Sequence, residues 1–452
     1  MERVFDLEAV LADVRRALES GQLDEAVRVL SDQRPADLVE VFEELEDAEQ
    51  VELLPRMEAE DSADVLEYLD DPQAAELAGE LSDADLARIV EEMEPDEAAD
   101  LLGDLHPARS QAILARLDDP DEISPLLIYP DHTAGGLMTS DVLALRRRMT
   151  VADALQAVRS EAPSPSAETL YYLYVVDSAN RLVGITCLYD LLRSSPTAQV
   201  ADTMSTDIIS VPAGMDQEDV ARLMARYSLL SVPVVTADGQ LLGIITHDDL
   251  VDVIEREATE DIQKLGATQP LGRSYLDTRV STVMRKRIGW LLLLFLTESL
   301  TGSVLRHFEG ELSMVVSLSF FIPLLIGTGG NAGSQTTSTI IRSLALGEID
   351  MKDAAPVLWH ELRVGVLLGA VMGLVGFGRA LLWETPFSVA QAVAIALLSI
   401  VVWANVVGSL LPLLAIRLRI DPALVSGPFM STLVDATGLL IYLQIAKMIL
   451  GL

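Results

Sequence analysis

The chain reads as a multidomain protein: an α-helical front, a duplicated α/β middle, and an all-α membrane part of five spans reached through a charged helix. Three observations carry this. The formal charge of −37 is split unevenly, since residues 1–284 carry 59 Asp and Glu against 21 Lys and Arg, whereas residues 285–452 carry 10 against 11. The middle repeats one pattern of strands and helices, and the last third holds five long apolar runs. At 452 residues the chain is too long for one core, so several domains are expected.

Residues 1–132 form the acidic helical front. Apolar residues recur at helical spacing in ADLVEVFEEL, SADVLEYL, DLARIVEEM, DEAADLLGDL and ARSQAILARL, with breaks near Pro35, Pro55, Pro72, Pro95, Pro107 and Pro120. A helix and a breaker, repeated roughly every 12 to 23 residues, predict a small solenoid whose turns bury their apolar stripes on one another. Its outer face is acidic. Asp96 and Asp100 stand four apart on one helix face, a spacing that can present two carboxylates to one hard cation. A solvated acidic face is the plainer reading of any single pair here. The acidic balance repels phosphate backbones and attracts cations, which argues against nucleic acid as a partner. With Cys187 alone there is no intrachain disulfide and no Cys-based zinc site, and its apolar setting reads as core. MERVFDLEAV opens an acidic amphipathic helix and not a leader, so the front half is expected in the cytosol.

Residues 133–248 hold the duplication. One copy runs from GGLMTSDVLAL through MTVADALQAV to YYLYVVDSANRLVGITCLYDLL, the other from ADTMSTDIISV through MDQEDVARLMARY to LLSVPVVTADGQLLGIITHDDLVDVI. Each has an amphipathic helix, a β-branched strand, a polar turn, an apolar strand with Gly, and a closing acidic helix. Over residues 137–255 this resembles a tandem pair of CBS domains. Such pairs often dimerise and often bind adenine nucleotides, so the resemblance allows ATP here. No glycine-rich phosphate loop leads into a Lys, and no nucleophile stands beside a base, so an enzyme is not expected.

Residues 249–284 form the connecting helix and linker. Asp248, Asp249, Asp252, Glu255, Glu257, Glu260 and Asp261 put seven carboxylates in fourteen residues, repelling one another at helical spacing. Opposing cations would relieve that repulsion. An exposed solubilising helix is the alternative, but the position just before the membrane favours a charge-sensitive element able to move a gate.

Residues 285–452 form the membrane domain. Apolar spans are expected near 288–306, 313–336, 357–383, 388–416 and 422–450. Arg285, Lys286, Arg287, Arg342, Lys352, Arg417 and Arg419 all fall on the side of the acidic front, which places the N-terminus in the cytosol. Gly327, Gly329, Gly330 and Gly333 around Asn331 disfavour a regular lipid-facing helix, so the backbone of GTGGNAGSQ is expected to be shielded by protein or to lie along water, and Asn331 with Ser334, Gln335, Thr336 and Thr337 favours a pore or substrate path. Glycine packing between helices is the other explanation. In the last span Asp435 sits among Ser431, Thr432, Thr437 and Gly438, where an unpaired carboxylate must face protein or water and is expected to handle a cation. Glu298 is a second intramembrane acid, expected to pair with a neighbour or with Arg363.

The order of these parts, with the strings GTGGNAGSQ and DPALVSGPFMSTLVDATGLLIY, resembles the MgtE family of magnesium channels over essentially the whole chain. The resemblance implies a homodimer in the plasma membrane with one pore on the shared axis. It implies a magnesium-selective channel that imports Mg2+ and is closed by cytosolic Mg2+. Asp435 would be the central acid holding the hydrated ion, with Ser431 and Asn331 as lesser contributors. The sensing acids would be Asp249, Asp252, Glu257, Glu260 and Asp261, together with Asp96 and Asp100. Gly427 stands where some relatives carry Asn, and Ser228 where some carry an acid, so both contributions are absent here. A secondary active divalent-cation transporter is the nearest rival. A membrane enzyme would need His360 with Glu361, and an anion channel fits poorly with one central acid.

Overall fold

The computed structural model describes residues 5–160, 171–271, 275–276 and 278–452. The opening MERV and part of the linker after Gly266 lie outside the described residues. The chain divides into two compact units, Met1–Glu255 and Arg256–Leu452.

The first unit begins with the helices α1 (Leu7–Glu19), α2 (Leu23–Ser31), α3 (Pro35–Glu43), α4 (Asp47–Leu53), α5 (Ala59–Tyr68), α6 (Asp71–Glu80), α7 (Asp83–Val90), α8 (Pro95–Asp104) and α9 (Pro107–Leu114). Most of the prolines that mark breaks in the sequence open helices: Pro35, Pro95 and Pro107 are the first residues of α3, α8 and α9. There the missing N–H has no intrahelical partner to lose, and the fixed φ suits the first turn. Successive turns are stitched by side chains as well as by apolar burial. Arg109 of α9 donates to the carbonyls of Gly79 at 2.7 Å and Leu81 at 2.6 Å. The core runs through Leu30, Phe42, Leu54, Leu86 and Leu102 and continues into Val211, Val232, Ile245 and Leu250 of the second repeated copy.

The two copies have the same topology. In the first, β1 (Ala144–Arg146) precedes α10 (Val151–Ser160), β2 (Tyr172–Val176), β3 (Leu182–Cys187) and α11 (Leu188–Arg193). In the second, α12 (Val200–Thr203) precedes β4 (Val211–Pro212), α13 (Gln217–Tyr227), β5 (Ser231–Val235), β6 (Leu241–Thr246) and α14 (His247–Leu265). The middle strand of each sheet pairs parallel with the first and antiparallel with the third. The polar turns need left-handed backbone, supplied by Asn180 (φ 60°) and Gly239 (φ 78°). The copies are tied to each other through these turns, with Leu182 N–H donating to the Gly239 carbonyl at 2.9 Å and Leu241 N–H to that of Asn180 at 3.0 Å. Buried Tyr174 and Ser231 share a hydroxyl hydrogen bond of 2.7 Å. Cys187 is half-buried at the end of β3 and not core, with its thiol against Asp190 at 3.0 Å.

The division between units falls inside α14. Five helical segments of the second unit are long and apolar enough to cross a membrane. They comprise α15 (Val280–His307), α17 (Ile322–Ala345) with the 3-10 turn before it, α18 (Ala354–Leu382) with the 3-10 turn before it, α19 (Phe387–Arg417) and α20 (Gly427–Leu450); a short α16 (Glu309–Met314) follows α15. The first span starts earlier than its apolar run, taking Arg285, Lys286 and Arg287 into the helix, and the second ends nine residues later than expected.

Helix α17 is continuous from Ile322 to Ala345, so the glycines of GTGGNAGSQ leave no break in it and their backbone is shielded by neighbouring helices. Its glycines serve close packing. A Cβ on Gly329 would lie 2.5 Å from Ile400 and 2.8 Å from Val434, and one on Gly333 2.8 Å from Met430. The same device joins α18 to α19, where Cβ atoms on Gly369 and Gly373 would meet the Leu398 and Ala394 carbonyls at 2.8 Å. Without a hydrophobic drive between helices in lipid, this close backbone approach supplies dispersion contact. By contrast, α15 buries only Thr301 among its described residues.

Candidate ion site and acidic cluster

α20 is started by Ser426, whose hydroxyl accepts from Phe429 N–H at 3.3 Å, and by Pro428 in the first turn. That start fixes the phase of the helix, so Ser431 and Asp435, four apart, share the face that meets α17. The contact there is tight. A Cβ on Gly330 would overlap the Ser431 hydroxyl and come 3.5 Å from Asp435 Oδ1. Asp435 is half-buried, and none of the described residues gives it a hydrogen bond or an ion pair. The hydroxyls nearby are engaged elsewhere: Thr432 donates to the Pro428 carbonyl at 3.0 Å, and Thr437 donates to Leu433 at 2.8 Å while accepting from the Trp403 indole at 2.9 Å. The carboxylate therefore stands uncapped at membrane depth. Asn331 follows Gly330 with an exposed side chain.

The other intramembrane acids are placed differently from expectation. Glu298 does not pair with Arg363, which stacks over Trp359 with its guanidinium 5.8 Å from the ring centre. Glu298 is exposed on α15 and lies within Coulombic reach of Asp435. His360 is exposed, and Glu361 accepts from Thr336 and Asn405. At the N-terminal end of α20, Ser334 donates to the Gly427 carbonyl at 3.1 Å. The end of α14 is held nearby in the same unit. Lys264 pairs with Glu260 and with Asp421 at 2.6 Å, and together these acids hold the ammonium above its ordinary titration range against the opposing effect of burial. Glu260 is thus engaged by an internal cation, and Glu257 and Asp261 are half-buried on the same helix.

In the first unit the acids crowd where the N-termini of α8 and α14 meet. Asp96 is 6% exposed, its Oδ1 has no hydrogen-bond partner, and burial with Asp249 opposite lifts its carboxyl well above the usual range. Burial raises Glu97 to about 8, with Asp100 and Asp249 adding repulsion. Desolvation of its carboxyl among neighbouring acids and the charge of Glu67 raise Glu94 to about 7, although the residue as a whole is exposed. Asp249 is also raised, by burial and then by Asp248, although Thr246 donates to it from its N–H at 3.1 Å and its hydroxyl at 2.8 Å. Asp252 is exposed and its charge reaches Tyr68 on α5. Asp96 and Asp100 share a helix, but Asp96 faces Asp249 while Asp100 acts on Glu97. Glu67, Glu94 and Glu97 belong to this cluster and were not legible beforehand, since nothing local distinguishes them from other acids of the front. No three Asp, Glu, His or Cys side chains among the described residues close into a metal cage. Dispersed acids of this kind suit an ion that keeps its water, as magnesium does.

Family models match along the chain: the MgtE intracellular N domain over residues 33–132, the CBS domain over 134–196 and 200–256, and a divalent cation transporter model, MgtE, over 322–445. A magnesium transporter MgtE of Thermus thermophilus is 44% identical over 329 residues, covering 73% of this chain and 72% of that one. Those of Enterococcus faecalis and Bacillus subtilis are 37% and 36% identical, over 73% and 71% of this chain and 72% and 70% of theirs. A crystal structure of the cytosolic domain of the Mg2+ channel MgtE in complex with ATP aligns with TM-score 0.51 and 37% identity, over 54% of this chain and 99% of that one. The soluble part of a magnesium transporter aligns with TM-score 0.50 and 32% identity, over 56% and 100%. With identity at this level across both the cytosolic and the membrane parts, the chain belongs to the MgtE family of magnesium transporters.

Proposed function

We propose that the protein is a magnesium-selective channel of the plasma membrane, built as a homodimer and closed by cytosolic Mg2+. The observation that carries this is the uncapped Asp435 carboxylate beside Gly330 and Ser431. A half-buried acid among apolar spans with no partner among the described residues is a costly arrangement unless water or an ion answers it. Magnesium sheds water reluctantly and is commonly held by one or two carboxylates through its shell, so Asp435 from two subunits would grip the hydrated ion without stripping it. Ser431 and Asn331 would contact that shell.

Regulation follows from the acidic cluster. At low Mg2+ the crowded acids Asp96, Asp100, Asp249 and Asp252, with Glu257, Glu260 and Asp261 further along α14, repel one another or hold protons. Bound Mg2+ offsets that repulsion, and an ion that binds the closed state better shifts the population toward closure by its difference in affinity. The working division is residues 1–132 and 133–248 for sensing, 249–284 for connection, and 285–452 for the pore. The seam between the two CBS copies has a pocket lined by Tyr172, Ile185, Ser205, Asp207, Ser231 and Pro233. Its aromatic and apolar walls suit an adenine ring and Asp207 suits ribose hydroxyls, which supports an adenine nucleotide there, such as the ATP named for the aligned cytosolic domain. Asp435→Asn tests the proposal: it should abolish magnesium uptake in magnesium-starved cells while dimer assembly persists. Normal uptake would remove Asp435 from the ion path.

A further inference from the structure

A second group of polar atoms lies inside the membrane unit, on α17, α18 and α19. Glu361 stands eight residues into α18, about 10 Å along the helix at 1.5 Å per residue. Its carboxylate forms no ion pair with any described residue. Both of its hydrogen-bond donors fall on one oxygen: Oε2 accepts from Thr336 Oγ1 of α17 at 3.4 Å and from Asn405 Nδ2 of α19 at 3.2 Å. Asn405 is 1% exposed, and the other end of its amide, Oδ1, is sealed from solvent with no donor. Neighbouring hydroxyls cannot supply one as they stand, because Thr337 donates to the Gly408 carbonyl at 3.1 Å and Ser409 to that of Val406 at 3.0 Å. Around Asn405 the helices are already close, since a Cβ on Gly365 would lie 3.2 Å from its Cβ. The group thus has an excess of oxygen acceptors and one negative charge without a positive one.

A buried polar oxygen needs a donor or a cation, and a half-buried carboxylate among membrane spans is costly without a counter-charge. Water would answer Asn405 Oδ1 but leave the charge of Glu361. We propose that Glu361, Asn405 and Thr336 form a second intramembrane site, for a monovalent cation of sodium's size, held by a carboxylate, an amide oxygen and a hydroxyl. The single formal charge matches a monovalent ion. Magnesium demands a near-octahedral shell and usually keeps several of its waters, whereas the Asn405 oxygen is sealed from solvent. The ion would join α17, α18 and α19 through their polar atoms and stabilise their packing, and the site does not depend on Asp435 conducting magnesium.

The test is thermal unfolding of the full-length protein in detergent, with sodium chloride replaced stepwise by choline chloride at constant ionic strength. The wild type should show a saturable rise in Tm with sodium that Glu361→Gln loses and Asp435→Asn keeps. The last variant separates this site from the pore, since it would retain the sodium effect even where magnesium uptake is lost. Equal Tm in sodium and choline for the wild type, or an undiminished sodium rise in Glu361→Gln, would overturn the site. Should Glu361→Gln not fold, Asn405→Asp keeps the shape and adds a charge, so it should shift the stabilising ion from sodium to calcium. An unchanged preference for sodium in Asn405→Asp would equally overturn it.

Discussion

Protons and magnesium should compete for the acidic cluster of the first unit, and the raised titration of Glu94 and Glu97 sets the size of the competition. Glu94 titrates at about 7 and Glu97 at about 8. At pH 6 a group titrating at about 7 is ionised in about one molecule in eleven, and at pH 8 in about ten of eleven. If the ion needs only Glu94 ionised, its apparent affinity rises about tenfold between those pH values; if Glu97 must ionise too, the factor is about 500. Without the ion, the folded chain keeps protons on these groups that the unfolded chain loses above about 4.5. That contribution to stability is therefore full below about 4.5 and declines as the pH rises through 7 and 8. Magnesium should offset the decline. The assay is the Mg2+ concentration that half-protects α14 from protease in the full-length protein, normalised to chelator at pH 6, 7 and 8. A midpoint that moves less than twofold from pH 6 to pH 8 would refute the reasoning, as would an undiminished movement in Glu94→Gln/Glu97→Gln.

Three further outcomes are expected. Gly330→Ala gains up to about 1 kcal/mol of helix propensity but overpacks the Ser431 contact by about 1 to 3 kcal/mol, so it should lower both stability and magnesium uptake. Gly327→Ala on the same helix meets nothing within 4 Å and should leave uptake unchanged. Lys264→Met strands Glu260 and Asp421 in a partly exposed setting worth about 1 kcal/mol, so calorimetry should show a Tm lower by about 2 to 4 °C. Neutralising Asp249, Asp252, Glu260 and Asp261 together should leave transport open at high cytosolic Mg2+, whereas unchanged inhibition would remove these acids from sensing.

Periodicity served the fold well where it was regular. The helical front, the duplicated α/β copies and the five spans all follow from apolar spacing and turn residues such as Asn180 and Gly239. The glycines of α17 left helix packing and a water-lined path both open, because poor intrinsic propensity says nothing about the partner surface. Packing against Ile400, Val434 and Met430 rewards the missing side chains and keeps the helix intact. At the site, Asp435 was legible because an acid in an apolar span is rare. Glu94 and Glu97 were not, because in a front so rich in acids only three-dimensional crowding distinguishes one carboxylate from another. Lys264 was hidden for the opposite reason: its partner Asp421 is 157 residues away in the sequence.

The most direct measurement is current through the purified protein in planar bilayers, with a magnesium gradient across the membrane and equal sodium and pH on both sides. Magnesium currents should fall as cytosolic-side Mg2+ rises and should vanish in Asp435→Asn. Currents of wild-type size in Asp435→Asn, or magnesium movement only when a sodium or proton gradient is imposed, would contradict the channel mechanism.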